Sequence, residues 1–136
     1  NFLMTSDENN EFIACDFGSS FRNMKINSIE YIKIGTPKYS APELIDLDAA
    51  GFFTDVYALG ICMMMFLIGG NPEPDLFKGP EALNEIRRYV AYFNEDIQSF
   101  FIHILHPTVY KRMTMEELIN HSFIGFSDEE KEIMRQ

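Results

Sequence analysis

The tripeptide Asp16-Phe17-Gly18 contains the residue types in this sequence that could do chemistry. It directly follows the apolar residues 12–14, which are typical of a short strand. An aspartate supplies the hard oxygen ligands that Mg²⁺ needs. The tripeptide also fits a plain turn, in which Asp bonds its own backbone and Gly takes positive φ. By residue frequencies it occurs by chance at roughly one position in ten thousand, so its interpretation depends on the motifs that follow it.

Three further motifs follow along the chain. Residues 35–43 read G-T-P-K-Y-S-A-P-E, residues 55–60 read D-V-Y-A-L-G, and residues 112–123 read R-M-T-M-E-E-L-I-N-H-S-F. Together with D-F-G they resemble the motifs of eukaryotic protein kinases, in the family's order and at about its spacing. A helical domain with chance motifs would leave that order unexplained. The resemblance is to the serine/threonine type, since tyrosine kinases usually carry a Pro-rich, Trp-containing version of residues 35–43.

The resemblance implies a nucleotide and metal site at D-F-G. By resemblance Asp16 holds Mg²⁺ against the phosphates of ATP, Phe17 packs beneath it, and Gly18 permits the backbone to swing. Asn1 resembles the last residue of the catalytic loop H-R-D-L-x-x-x-N, which binds a second Mg²⁺. Thr36 resembles the residue that touches the catalytic aspartate. The expected cofactors are therefore ATP and Mg²⁺, and the expected partner is a protein substrate.

Three residues resemble structural positions of the family. Glu43 and Arg112 are expected to form a buried ion pair that ties the end of the activation loop to the helical body. Asp55 resembles the aspartate that accepts backbone N–H bonds from the catalytic loop, most of which lies outside these 136 residues. These residues are expected to support the fold rather than the reaction.

The sequence departs from the kinase pattern in ways that affect regulation. Ser28 and Tyr31 are the plausible phosphorylation sites of the activation loop, but Ile32 occupies the usual acceptor position. About two more residues separate Pro107 from Arg112 than in the family pattern. The sequence therefore predicts neither the activating modification nor the substrate.

The apolar pattern predicts the elements that position these motifs. Residues 2–4 and 12–14 flank a polar turn and predict a β-hairpin, and residues 19–40 predict an activation loop. Helix starts are predicted at Thr54, Gly79-Pro80, Asn94, the Thr114–Glu117 capping box and the Ser127–Glu130 capping box. The predicted fold class is mainly α, a protein-kinase-like C-lobe with one N-terminal hairpin, an activation loop and about five helices. Residues 1–125 are predicted to be a partial kinase domain and residues 126–136 an acidic, helical tail.

Composition narrows the class of protein further. A net charge of −10 argues against a nucleic-acid-binding domain, which would present clustered Lys and Arg. The apolar stretch at residues 56–70 is too short to cross a membrane. Cys15 and Cys62 do not make a disulfide framework. These observations predict an intracellular, cytoplasmic protein.

The kinase motifs that normally precede D-F-G are absent from the 136 residues. They contain no Gly-rich loop, no V-A-I-K lysine and no H-R-D aspartate. The sequence therefore predicts a C-lobe fragment of a serine/threonine kinase, inactive alone, with the missing N-lobe as its partner. The alternative is a non-catalytic interaction module, either a pseudokinase or a truncated product. Its intact D-F-G weighs against a pseudokinase.

Overall fold

The computed structural model describes residues 1–6, 8, 11–20, 22, 29–31, 39–69 and 73–135 of the chain. Within these ranges the fold is mainly α, as predicted, with a β-hairpin at its N-terminus. The α-helices of the described residues are α1 (Pro42–Asp46), α2 (Phe52–Ile68), α3 (Ala82–Val90), α4 (Glu95–Ile104), α5 (Met115–Asn120) and α6 (Asp128–Arg135). In the same residues, 3₁₀ turns lie at Phe17–Ser19, Pro74–Phe77 and Val109–Lys111.

The predicted hairpin is present. Strand β1 (Phe2–Met4) pairs antiparallel with β2 (Phe12–Ala14), and Leu3 lies opposite Ile13. The side chains of both strands are exposed, including the apolar ones. This register places Asn1 opposite the residues that follow β2.

A second pair of strands was not predicted. Strand β3 (Glu30–Tyr31) pairs antiparallel with β4 (Ala49–Ala50). The sequence pattern predicts a loop at Glu30–Tyr31, because two residues are too few to show an alternating pattern. The pairing joins part of the predicted activation loop to the segment that leads into α2.

Helix α1 is the helix that the sequence analysis missed. It has five residues and starts with Pro42 at its first position, where the fixed φ of proline suits a helix. The N–H of Leu47 closes it by donating to the carbonyl of Glu43, with an N to O distance of 3.0 Å. One turn of helix carries no apolar period, so the apolar pattern does not indicate α1, and the prediction of about five helices holds.

Helix α2 is the central helix, and it begins earlier than predicted. Thr54 was expected to cap it, but the helix starts at Phe52 with Gly51 at the N-cap. Thr54 is the third helical residue, and its Oγ1 accepts the N–H of Gly51 at 3.1 Å. The hydroxyl therefore satisfies a backbone donor at the helix start from inside the helix.

The hydrophobic core lies where α2, α3, α4 and α5 meet. Its fully buried large side chains include Tyr57, Phe77, Phe100 and Phe101. The helices approach closely at Gly60, where an added Cβ would lie 2.9 Å from Leu105 Cδ2. This contact requires glycine for packing and not for backbone conformation.

The predicted helix caps of the C-terminal half are present. The side chain of Asn94 accepts the N–H of Ile97 at 3.0 Å. Both bonds of the Thr114–Glu117 capping box form, and so do both bonds of the Ser127–Glu130 box. These local signals were sufficient to place α4, α5 and α6.

The structure also bears on membrane-spanning helices and on the two cysteines. In the part of the chain that the structure describes, no helix has both the length and the apolar character needed to cross a membrane. Cys15 and Cys62 are free thiols.

Candidate active site

The hairpin brings Asn1 and Asp16 together. The N–H of Cys15 donates to the carbonyl of Asn1 at 3.0 Å, which extends the strand pairing by one bond. Asn1 Nδ2 then donates to Asp16 Oδ2 at 2.8 Å. Both residues are exposed. The amide oxygen of Asn1 and the carboxylate of Asp16 therefore share one accessible location, although fifteen residues separate them.

Asp16 has an unusual backbone conformation. Its φ of 63° and ψ of 64° lie in the left-handed region, which few residues other than glycine adopt. Aspartate tolerates this region better than most residues. Such conformations concentrate at functional sites. In a plain turn Gly18 would take the positive φ, but here Asp16 takes it.

Phe17 and Gly18 lie in the 3₁₀ turn that follows. The side chain of Phe17 is 66% exposed, so the packing expected for it beneath Asp16 is not present. A Cβ on Gly18 would lie 3.8 Å from Asp16 Oδ1, which is an ordinary contact. Neither residue is held in place by the described packing, and their roles toward a nucleotide remain predictions.

Two expected site residues lie outside the described residues, namely Thr36 and Ser28. The backbone of Tyr31 pairs with Ala49 in the β3–β4 ladder, and its side chain lies outside the described part. The roles expected for these three residues in catalysis and phosphorylation remain predictions.

Glu43 and Arg112 form a buried, two-pronged ion pair. Arg112 Nη1 lies 2.7 Å from Glu43 Oε1, and Nη2 lies 2.8 Å from Oε2. Arg112 also donates to the carbonyls of His106 (2.9 Å), Phe53 (2.8 Å) and Pro107 (3.4 Å). These bonds engage all five N–H groups of the guanidinium. The pair thereby joins the start of α1 to the start of α2 and the segment before α5.

Two residues that the sequence analysis missed complete this contact. The hydroxyl of Thr54 donates to Glu43 Oε1 at 3.2 Å. The guanidinium of Arg112 lies over the ring of Tyr57, with its carbon 4.9 Å from the centroid. Burial raises the pKa of Tyr57, whose hydroxyl donates to the Phe77 carbonyl at 3.1 Å. Tyr57 lies in the motif at residues 55–60, but nothing in the motif pattern indicates that it stacks on Arg112.

Asp55 lies in the first turn of α2. Partial burial of its carboxylate raises its pKa. Among the residues that the structure describes, no group donates a hydrogen bond to this carboxylate. The role expected for Asp55 toward the backbone of a catalytic loop remains a prediction.

The Asn1–Asp16 pair has the chemistry of a partial magnesium site. Its oxygens are hard ligands, and Mg²⁺ usually takes one or two carboxylates while keeping water and substrate phosphates as its other ligands. Within the described ranges, no group of three or more His, Cys, Asp or Glu side chains is placed to hold a metal. The donor set therefore fits a cation that arrives with a phosphate ligand better than a closed structural metal site.

Comparison with known proteins shows the family. The model of the protein kinase domain matches residues 1–124. Serine/threonine-protein kinase PLK4 of Xenopus laevis is 28% identical over 98% of this chain and 14% of its own length. Calcium/calmodulin-dependent protein kinase type 1B of Rattus norvegicus is 30% identical over 89% of this chain and 37% of its own length. Aurora kinase of Debaryomyces hansenii is 29% identical over 91% of the chain and 31% of its own length. The chain thus spans well under half of each relative, and it belongs to the protein kinase family.

Proposed function

We propose that the protein is a serine/threonine kinase that transfers the γ-phosphoryl of ATP to a Ser or Thr hydroxyl of a protein substrate. The single observation that supports this most strongly is the Asn1–Asp16 contact within a chain of the protein kinase family. Relatives named as serine/threonine-protein kinases support the choice of acceptor. Residues 1–125 would be part of the catalytic domain and residues 126–136 a helical tail attached to it.

In this proposal Asp16 and Asn1 hold Mg²⁺ through the carboxylate and the amide oxygen. Bound Mg²⁺ supplies positive charge that neutralises the phosphate oxygens during transfer. The hydrogen bond from Asn1 Nδ2 orients Asp16 and leaves Asp16 Oδ1 and the Asn1 amide oxygen to face a cation. Exposure of both residues gives ATP access to them. The contribution of these residues is therefore to position the metal and the phosphates.

The transfer needs groups beyond these residues. The substrate hydroxyl oxygen attacks the γ-phosphorus, the bond to the ADP oxygen breaks, and the hydroxyl proton passes to a base. In kinases that base is the aspartate of the H-R-D loop, which is absent from the 136 residues. We propose that the rest of the protein supplies this aspartate and the N-lobe.

Two free thiols are compatible with a reducing cytoplasmic location.

A non-catalytic interaction module is the second candidate. The observation that favours it is the apolar surface shared by the hairpin and α2. Phe12 packs edge-on against Phe66, with 6.3 Å between ring centroids, yet both rings remain largely exposed at 63% and 77%. Apolar surface of this kind marks contact with another protein segment.

The test is phosphoryl transfer by the whole protein with Asp16→Asn. Asparagine tolerates left-handed backbone, so the turn should be retained while one metal ligand loses its charge. We expect activity toward casein to fall by about a hundredfold or more. Asp48→Asn is the matched control, because Asp48 is also exposed and left-handed, with φ of 49°. Full activity in Asp16→Asn would contradict the proposed site, and an inactive wild-type protein that still binds partners would favour the interaction module.

A further inference from the structure

A cavity of about 330 Å³ with a mixed polar and apolar lining lies between α4 and α5. His103 of α4, Lys111 of the turn Val109–Lys111, Glu117 of α5 and His121 just after α5 contribute to its wall. None of its lining residues belongs to the Asn1–Asp16 site. Its volume is at the lower end of the range for small-molecule sites. A ligand here would be small and polar.

The turn Val109–Lys111 forms one side of the cavity. Its backbone closes through bonds from Lys111 N to the Thr108 carbonyl (3.1 Å) and from Arg112 N to the Val109 carbonyl (3.0 Å). Arg112 still reaches Glu43. The turn is therefore compatible with the buried ion pair and forms part of the cavity wall.

Hydrogen bonds place the proton on different ring nitrogens in the two histidines. His103 Nδ1 lies 2.7 Å from the carbonyl oxygen of Ser99, which can only accept, so Nδ1 bears the proton. In the neutral ring, Nε2 of His103 is then an acceptor. His121 Nδ1 instead accepts the N–H of Phe123 at 3.2 Å, so Nε2 of His121 bears the proton and is a donor. The cavity therefore has one imidazole of each kind in its wall.

The cavity wall also contains one positively charged and one negatively charged side chain. Lys111 supplies a cation and Glu117 a carboxylate. Glu117 Oε2 accepts the N–H of Thr114 at 2.8 Å, and Oε1 makes no hydrogen bond with the described residues. Arg112 also lines the cavity, but its N–H groups are engaged by Glu43 and by backbone carbonyls. Ser99, Tyr110 and Thr114 add hydroxyl groups to the wall, and its charged groups other than Arg112 are one cation and one carboxylate.

We propose that this cavity binds a small zwitterion of the free α-amino acid class. The ligand's carboxylate would lie at Lys111 and His121, and its ammonium group at Glu117 and His103. A simple anion fits less well, because the carboxylate of Glu117 in the same wall offsets the charge of Lys111. A ligand that binds the folded protein should stabilise it by mass action.

The experiment is calorimetric titration of the whole protein with glycine, L-alanine and L-leucine. Acetate and ethylammonium serve as the two halves of a zwitterion. We expect saturable binding of at least one amino acid, with a Kd about tenfold or more below that of either half. The same ligand should raise Tm at saturating concentration.

Substitutions locate the binding. Lys111→Met and Glu117→Gln should each weaken the amino acid about tenfold or more. Glutamine can still complete the capping box with Thr114, so the start of α5 should remain folded. Lys131→Met and Glu129→Gln on α6 are matched controls outside the cavity and should bind as the wild type does. The proposal is overturned if no amino acid binds saturably, if acetate binds as tightly, or if Lys111→Met and Glu117→Gln leave the affinity unchanged.

Discussion

Two carboxylates of this chain make close contacts in opposite surroundings. Glu43 is buried against Arg112, and every N–H of that arginine is engaged. Asp16 is exposed, contacts an amide at 2.8 Å, and has a left-handed backbone. A saturated buried pair has no capacity left for a ligand, so its role is to hold segments together. An exposed carboxylate can exchange water for a cation. Burial and saturation, rather than residue type, separate the structural acid from the candidate catalytic one.

The largest expected effect tests the structural side of this comparison. Arg112→Met should lower the free energy of unfolding by about 3–5 kcal/mol, because it leaves the Glu43 carboxylate buried without its partner. The measurement is urea denaturation of the whole protein. Arg135→Met removes the exposed partner of Glu116 and should cause no measurable loss. Equal losses in the two variants would break the comparison, since burial would then not decide the cost.

Gly60→Ala should have the next largest effect, and it tests packing in the same region. The new Cβ would lie 2.9 Å from Leu105 Cδ2 and 3.0 Å from Ile104 Cγ2, and both side chains are fully buried. We expect a net loss of about 1–2 kcal/mol, because overpacking exceeds the gain in helix propensity. Gly79→Ala is the control, because no atom of the described residues lies within 4 Å of the new Cβ. The stabilities of both variants are measured by urea denaturation. A Gly60→Ala protein as stable as the wild type would show that α2 and α4 can separate.

Asn94→Ala tests whether an exposed polar side chain can also stabilise the fold. The Asn94 side chain is exposed, yet it satisfies the N–H of Ile97 at the start of α4. We expect a loss of about 1 kcal/mol in unfolding free energy, typical of a removed N-cap. The matched variant is Asn84→Ala, since the side chain of Asn84 donates to the exposed side chain of Glu81 at 2.7 Å and caps no helix end. If both variants lose the same unfolding free energy, the hydrogen bond at the start of α4 stabilises the fold no more than an ordinary exposed hydrogen bond.

The smallest expected effect is the pH dependence of His106. Burial, and secondarily the charge of Lys111, lowers the pKa of His106 below its usual 6.5. The neutral ring is favoured in the folded protein, so its contribution to stability is present above pH 6.5 and is lost as pH falls through the lowered pKa. His106→Asn should therefore lose less stability than the wild type between pH 7.5 and pH 5. Parallel losses in urea denaturation at the two pH values would contradict this assignment.

Local signals in the sequence predicted most of the fold. The caps at Asn94, Thr114 and Ser127 act within four residues, so they could be placed without knowledge of the rest of the chain. The strand pair Glu30–Tyr31 with Ala49–Ala50 could not be predicted, because each strand is too short to show a period. Helix α1 was missed for the same reason. The start of α2 was misplaced at Thr54, since the cap signal does not show which partner a hydroxyl will find.

The amino-acid sequence by itself determined the family, the order of the motifs and the pairing of Glu43 with Arg112 as an expectation. These follow from residue types and their spacing, which are properties of the chain alone. Only the tertiary structure decided that Asp16, and not Gly18, takes the left-handed backbone. It also decided that Thr54 and Tyr57 complete the buried ion pair, and that His103 and His121 present opposite polarities to one cavity. The contacts of Thr54 and Tyr57 with the ion pair, and the meeting of His103 and His121 at one cavity, depend on distances between separate segments of the chain. Spacing along a sequence does not specify such distances.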